Sequence, residues 1–168
     1  MKTKLIAALL AAALATPALA KPAAVERLTT STPDGKPGRI LKGVIVPAGY
    51  ETFYLSGQLA EPIVAGKAAT MEDFGDTRTQ TVSTLNVIKK ILASKGYTIN
   101  DVVKMQAFLA ADPKLGKIDF AGFNAGFEEF FNTADNPATV SRSTFQVANL
   151  VAPMFLVELE VTAVKAAK

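Results

Sequence analysis

Residues 101–132 run DVVKMQAFLAADPKLGKIDFAGFNAGFEEFFN. The opening part alternates. Over Asp101–Ala110, Val103, Met105, Ala107 and Leu109 share one face while Lys104, Gln106 and Phe108 share the other, the period-2 signature of a strand half-buried in a sheet. The closing part changes period. From Asp119 to Asn132, Phe120, Phe123, Phe127, Phe130 and Phe131 recur at spacings of three and four, the apolar stripe of a helix. The simplest use of such a stripe is core packing. A strand followed by a helix with one apolar face calls for a helix laid on a sheet.

Two strands follow. Val140–Val147 puts Phe145 and Val147 on one face and Arg142, Thr144 and Gln146 on the other. Phe155–Val164 puts Phe155, Val157, Leu159, Val161 and Ala163 on one face, with Leu156, Glu158, Glu160 and Thr162 opposite. On the N-terminal side, Thr77–Lys95 is predicted helical, because Val82, Leu85, Ile88, Ile91 and Leu92 recur at helical spacing and Gly96 stands ready to end the helix. Residues 60–76 read as loop. Strands are predicted over Val25–Thr30, Ile40–Val46 and Thr52–Leu59, with turn chemistry in Ser31-Thr32-Pro33-Asp34-Gly35 and Pro47-Ala48-Gly49.

The predicted order is β-β-β-α-β-α-β-β, an α+β fold with a six-stranded mixed sheet and both helices on one face. The second sheet face comes out mixed: Tyr54, Ser56, Gln58, Gln106, Phe108, Arg142, Thr144 and Glu158. Such a face meets either another subunit or plain solvent, and periodicity alone leaves both open.

The chain begins with Lys2 and Lys4, an apolar run from Leu5 to Ala15, Pro17 and then Ala18-Leu19-Ala20. That order is expected of a cleavable signal peptide spanning residues 1–20, giving a periplasmic or secreted protein with one domain over residues 21–168 and no membrane attachment after cleavage. The run is short for a bilayer-spanning helix, which needs about 20 apolar residues. Lys2 and Lys4 account for two of the 18 basic residues, leaving 16 against 15 acidic ones. No clustered basic stretch marks a nucleic-acid partner. There is no Cys, so no disulfide forms, and no His, which removes imidazole metal sites and Ser-His-Asp triads. Chemistry falls to Arg, Lys, Asp, Glu, Tyr, Ser, Thr and the backbone.

Three segments, in order and on the right elements, resemble the reactive-intermediate-deaminase (Rid, or YjgF-type) family over nearly the whole mature chain. They are Phe53-Tyr54-Leu55-Ser56-Gly57-Gln58; the helix Asp119–Phe131 with its Asn124 and paired Phe130-Phe131; and Ser141-Arg142-Ser143-Thr144-Phe145-Gln146-Val147-Ala148-Asn149-Leu150 followed by Val157-Glu158-Leu159-Glu160-Val161. The resemblance implies a chorismate-mutase-like fold that assembles as a trimeric barrel, a homotrimer with a cleft at each subunit boundary. It also implies hydrolysis of reactive enamines and imines, 2-imino acids going to 2-keto acids and ammonia, without metal or organic cofactor. Arg142 matches the family's signature Arg and would hold a substrate carboxylate through its planar fork. Glu158 matches the family's Glu and would orient water and carry protons. Ser56, Gly57, Ser143 and Thr144 would line the substrate site. The plainer alternative is that Arg142 and Glu158 form a cross-strand ion pair.

Some positions depart from the family. Leu41-Lys42-Gly43-Val44 stands where the family carries Pro-Tyr-x-Gln, so the usual pocket Tyr has no counterpart. Thr144 stands where many members have Cys, and the Val151-Ala152-Pro153-Met154 connection differs from the usual Leu-Pro form. Two other functions compete: a non-catalytic trimer of the periplasm that binds a small carboxylate or amino-acid-like ligand, and a ribonuclease, for which the chain offers neither an imidazole nor a basic groove.

Overall fold

The computed structural model describes residues 23–167. The signal-peptide expectation for residues 1–20 lies outside them. The elements are β1 (Glu26–Ser31), β2 (Pro37–Ile45), β3 (Tyr50–Gln58), α1 (Thr77–Ser94), β4 (Val102–Leu109), α2 (Phe120–Phe127), β5 (Ser141–Gln146) and β6 (Val157–Ala166), with short 3-10 turns at Met71–Asp73 and Ile99–Asp101. The six strands form one sheet in the order β1-β2-β5-β4-β6-β3. The β2–β5 and β4–β5 pairs are parallel and the other pairs antiparallel, so the sheet is mixed as predicted.

Both helices cover one face. Leu85, Ile88 and Leu92 of α1 and Phe123 and Phe127 of α2 join Met105, Ala107 and Leu109 of β4 and Val157, Leu159, Val161 and Ala163 of β6 in one buried core. Helix α1 starts on Asp76, whose side chain accepts from the Thr79 N–H, and Gly96 follows its end with φ +74°, a backbone state glycine adopts without cost.

The buried face of α1 is not purely apolar. Thr77, Gln80, Thr81 and Thr84 are buried along its first half. Gln80 explains part of this: its amide nitrogen donates to the carbonyls of Gly75 and Met154, and its amide oxygen accepts from the Leu156 N–H. A fully buried amide is thereby satisfied while it fastens the segment leading into β6 to the start of α1. Gly126 lets the helices meet. A Cβ there would sit 2.8 Å from the Thr81 Cβ and 3.0 Å from the Arg78 carbonyl oxygen.

Helix α2 is shorter than the Phe stripe suggests. It stops at Phe127, and the chain continues in turns to Asn132, which takes φ +57° and donates its backbone N–H to the Ala138 carbonyl. The stripe survives the change, because Phe131 remains buried and stacks on Phe127 with ring centroids 4.5 Å apart.

Strand β5 requires a correction. Parallel pairing sets Met105 beside Arg142 and Ala107 beside Thr144, so Arg142 and Thr144 share the helix-covered face. Ser143 and Phe145 pair with Gln106 and Phe108 and take the open face, where Phe145 is 45% exposed and stacks on Phe108. Alternation tells which residues of a strand share a face, but not which face that is. The phase was set by the one aromatic, Phe145, and the structure reverses it. In β3 an irregularity between Leu55 and Gln58 pairs Gln58 with Leu159, moving it off the open face as well.

Candidate functional site

Arg142 lies beneath α2, partly buried. Its Nη2 donates to the Asn124 side-chain oxygen at 2.8 Å. Its guanidinium carbon is 4.5 Å from the ring centroid of Phe127, 4.8 Å from that of Phe123 and 6.0 Å from that of Phe120. The phenylalanine stripe therefore does two jobs: it fills the core and it walls a cation with aromatic faces. Nε and Nη1 are buried without a hydrogen-bond acceptor in the protomer. Burial lowers the pKa of Arg142 to about 10; the neighbouring Arg39 pushes in the same direction and Glu128 pushes against both. The group remains a cation at neutral pH, desolvated and short of acceptors.

Asn124 is buried at the middle of α2, where its residue type is a poor helix former. Its position makes sense as the partner of Arg142. The sequence carried a usable signal, an Asn set between Phe123 and Phe127 on the stripe, but only the structure pairs it with the arginine. Thr144 projects from β5 on the same face as Arg142, two residues along.

A second group assembles elsewhere. Glu158 pairs with Phe108 and so projects from the open face. Its carboxylate occupies the space left by the missing side chain of Gly57, where a Cβ would come to lie 1.9 Å from Oε1. Ser56 is exposed and lines an open-face groove of about 400 Å³ with Tyr54, Lys104, Gln106, Glu160 and Thr162. Gln106 donates to Glu160 at 2.8 Å, and the Lys104 ammonium donates to Ser143 at 3.3 Å.

The predicted site residues thus separate into two groups: Arg142 and Thr144 on the helix face, and Ser56, Gly57, Ser143 and Glu158 at the open face. Strand β4 lies between β5 and β6, so Arg142 and Glu158 are two strand spacings apart across the sheet, about 10 Å, offset by three residues along it (Met105 against Phe108), another ~10 Å, and on opposite faces. The cross-strand ion pair between them does not form within a protomer. Among the described residues, no three or more His, Cys, Asp or Glu side chains converge as a metal site.

Residues 46–165 match the family described as Endoribonuclease L-PSP. The chain belongs to this family, the Rid or YjgF type. A curated Rid relative, the RutC family protein PH0854 of Pyrococcus horikoshii, is 35% identical over 91 residues, 54% of this chain and 64% of that protein. The chain therefore spans less than two thirds of that relative's length. Among solved structures, the YjgF gene product of E. coli is 30% identical, with 68% of this chain and 80% of that one covered and a TM-score of 0.53. E. coli TdcF with bound serine is 28% identical, covering 73% and 91%, also at 0.53. The Rid protein YyfB of Yersinia pestis shares the fold at 22% identity, covering 74% and 86%, with a TM-score of 0.58.

Proposed function

We propose that this Rid protein hydrolyses reactive 2-imino acids and their enamine tautomers in a pocket completed between copies of the chain. One observation carries the reading. Arg142 is a desolvated cation whose partner, Asn124, is neutral, and among the described residues no carboxylate lies within ion-pair distance of it. Arginine is the side chain best suited to a carboxylate, and a 2-imino acid brings one. The serine bound to TdcF, a relative 28% identical, is likewise an amino acid with a free carboxylate.

The chemistry asks little of the protein. The carboxylate anchors on Arg142 and presents the C=N carbon. Water adds to that carbon as Glu158 takes its proton; the proton passes to nitrogen, the C–N bond breaks and C=O forms. Iminium carboxylate plus water gives 2-keto acid plus ammonium, with charge conserved. Since Arg142 and Glu158 point away from one another in one protomer, the Glu158 of a neighbouring copy must supply the second group. Two separated half-sites suit a head-to-tail ring, which a homotrimer closes.

The test generates an imino acid in situ with an amino-acid oxidase and follows its disappearance. Accelerated loss with the protein, abolished in Arg142→Ala, supports the reading. No acceleration, with Arg142-dependent binding of small carboxylates, would leave a binding module instead. We also propose export, on the signal-like order of residues 1–20. Mass spectrometry of the natively produced protein should find Lys21 at its N-terminus, and a full-length cytoplasmic chain would refute it.

A further inference from the structure

We propose that Glu128 sets the charge selectivity of the Arg142 site: by occupying the neighbouring Arg39, it restricts the site to ligands with a single carboxylate. The proposal rests on the carboxylate reading of Arg142 and adds to it a residue that decides which carboxylates enter.

The geometry lies on α2 and its C-terminal cap residue, Glu128. Asn124 and Glu128 are four residues apart, joined by the bond from the Glu128 N–H to the Asn124 carbonyl at 3.0 Å. Side chains at that spacing stand one above the other on a helix, with Cβ atoms about 5–6 Å apart. Each holds an arginine that arrives from the sheet. Asn124 accepts from Arg142 of β5. Glu128 accepts from Nε of Arg39 of β2. Two guanidinium groups are thus tethered to successive turns of one helix, and β2 and β5 are adjacent strands.

The two tethers differ in charge. Asn124 is neutral, so Arg142 keeps its full positive charge. Glu128 is a carboxylate, so Arg39 is already compensated. The trio of Arg142, Arg39 and Glu128 carries one net positive charge, which one ligand carboxylate neutralises. A second, distal carboxylate would have to approach Arg39 against Glu128, and like charges brought together are the common means of rejecting a wrong ligand. The electrostatics of Arg142 agree with this arrangement: after burial, Arg39 disfavours its charge and Glu128 favours it. A concavity of about 470 Å³ opens beside the pair, lined in part by Lys36, Arg39, Glu128 and Asn132. The Arg39 and Glu128 side chains are 44% and 49% exposed, so the pair can be altered without disturbing the core.

The experiment measures binding of pyruvate and 2-oxoglutarate, stable keto acids with one and two carboxylates, by calorimetry on the full assembly. The wild type should bind pyruvate at least about tenfold more tightly than 2-oxoglutarate. Glu128→Gln, which keeps the size and frees Arg39, should reverse that order. The double variant Arg39→Ala/Glu128→Gln should lose the acquired 2-oxoglutarate affinity while pyruvate binding stays near wild type. Thermal unfolding of each variant keeps a folding defect distinguishable from a binding one. Equal wild-type affinity for both keto acids, or an unchanged order in Glu128→Gln, overturns the proposal while leaving Arg142-dependent carboxylate binding intact. Binding of neither keto acid, or binding that persists in Arg142→Ala, overturns the carboxylate reading and this proposal with it.

Discussion

At the scale of single residues, Arg142 sets a trade between stability and binding. Replacing it by Met fills similar space and leaves the Asn124 oxygen without a donor, a cost of about 1–3 kcal/mol. It also removes a desolvated guanidinium whose Nε and Nη1 are unpaired, and a buried charged group left short of hydrogen bonds costs more than about 1–3 kcal/mol. The second effect should prevail. Arg142→Met is expected to unfold at or above the wild-type temperature, yet to lose the stabilisation that added pyruvate gives the wild type; scanning calorimetry with and without pyruvate checks both. The pH dependence has a definite sign. The ligand carboxylate binds the protonated guanidinium, so affinity should be flat over roughly pH 6 to 9 and fall as the free site deprotonates above about 10. Gly57 offers a second test. Gly57→Ala would place a methyl where the Glu158 carboxylate lies, so it should cut turnover while leaving the affinity for pyruvate nearly unchanged. An unaltered rate would remove Glu158 from the mechanism in its present position.

Among the elements, α1 and β4 were legible end to end because their patterns are long and strictly periodic, whereas the Phe stripe overstates α2, which stops at Phe127. The periodic pattern over Thr77–Lys95 predicts a helix that spans Thr77–Ser94, and the alternation over Asp101–Ala110 predicts a strand that spans Val102–Leu109. Strand β5 was legible in extent but not in orientation. It has six residues, one aromatic and one arginine, and its face is fixed by parallel pairing with β4, a long-range fact that local alternation does not contain. The polar half of the α1 face was hidden for a related reason: Gln80 is buried to satisfy carbonyls and an N–H from distant loops, and nothing local announces those partners. Helix packing yields a quantitative expectation. Gly126→Ala gains about 0.5–1 kcal/mol of helix propensity, but its methyl would meet the Thr81 Cβ and the Arg78 carbonyl, neither of them a flexible side-chain tip, and overpacking costs about 1–3 kcal/mol. Overpacking should win, with a lower denaturation midpoint. Because α2 also carries Asn124, pyruvate affinity should weaken in the same variant.

For the whole molecule, the decisive fact is that one chain holds two halves of a candidate site that cannot meet. Arg142 and Asn124 lie between α2 and β5, and Glu158 and Gly57 lie across β4 and β6 on the opposite face. The sequence placed these residues on the right elements and assigned Arg142 and Glu158 to one face. With both on one face a protomer could have been sufficient; on opposite faces, the proposed activity requires assembly. Light scattering should give about three times the mass of the mature chain if the ring closes as a trimer. Subunit mixing then discriminates sharply. Arg142→Ala and Glu158→Gln should each be inactive alone. In trimers co-assembled from equal amounts of the two, each pocket draws its arginine from one subunit and its glutamate from the next. Every mixed trimer, whichever variant is in excess, then has one pocket of its three with both intact groups, restoring roughly a third of wild-type imine hydrolysis. A site confined to one protomer would give no such recovery, because every subunit in the mixture lacks one of the two. Co-expression with differently tagged chains, tandem purification of the mixed trimers and the oxidase-coupled assay decide between the outcomes, and the absence of recovery in verified mixed trimers would defeat the intersubunit mechanism.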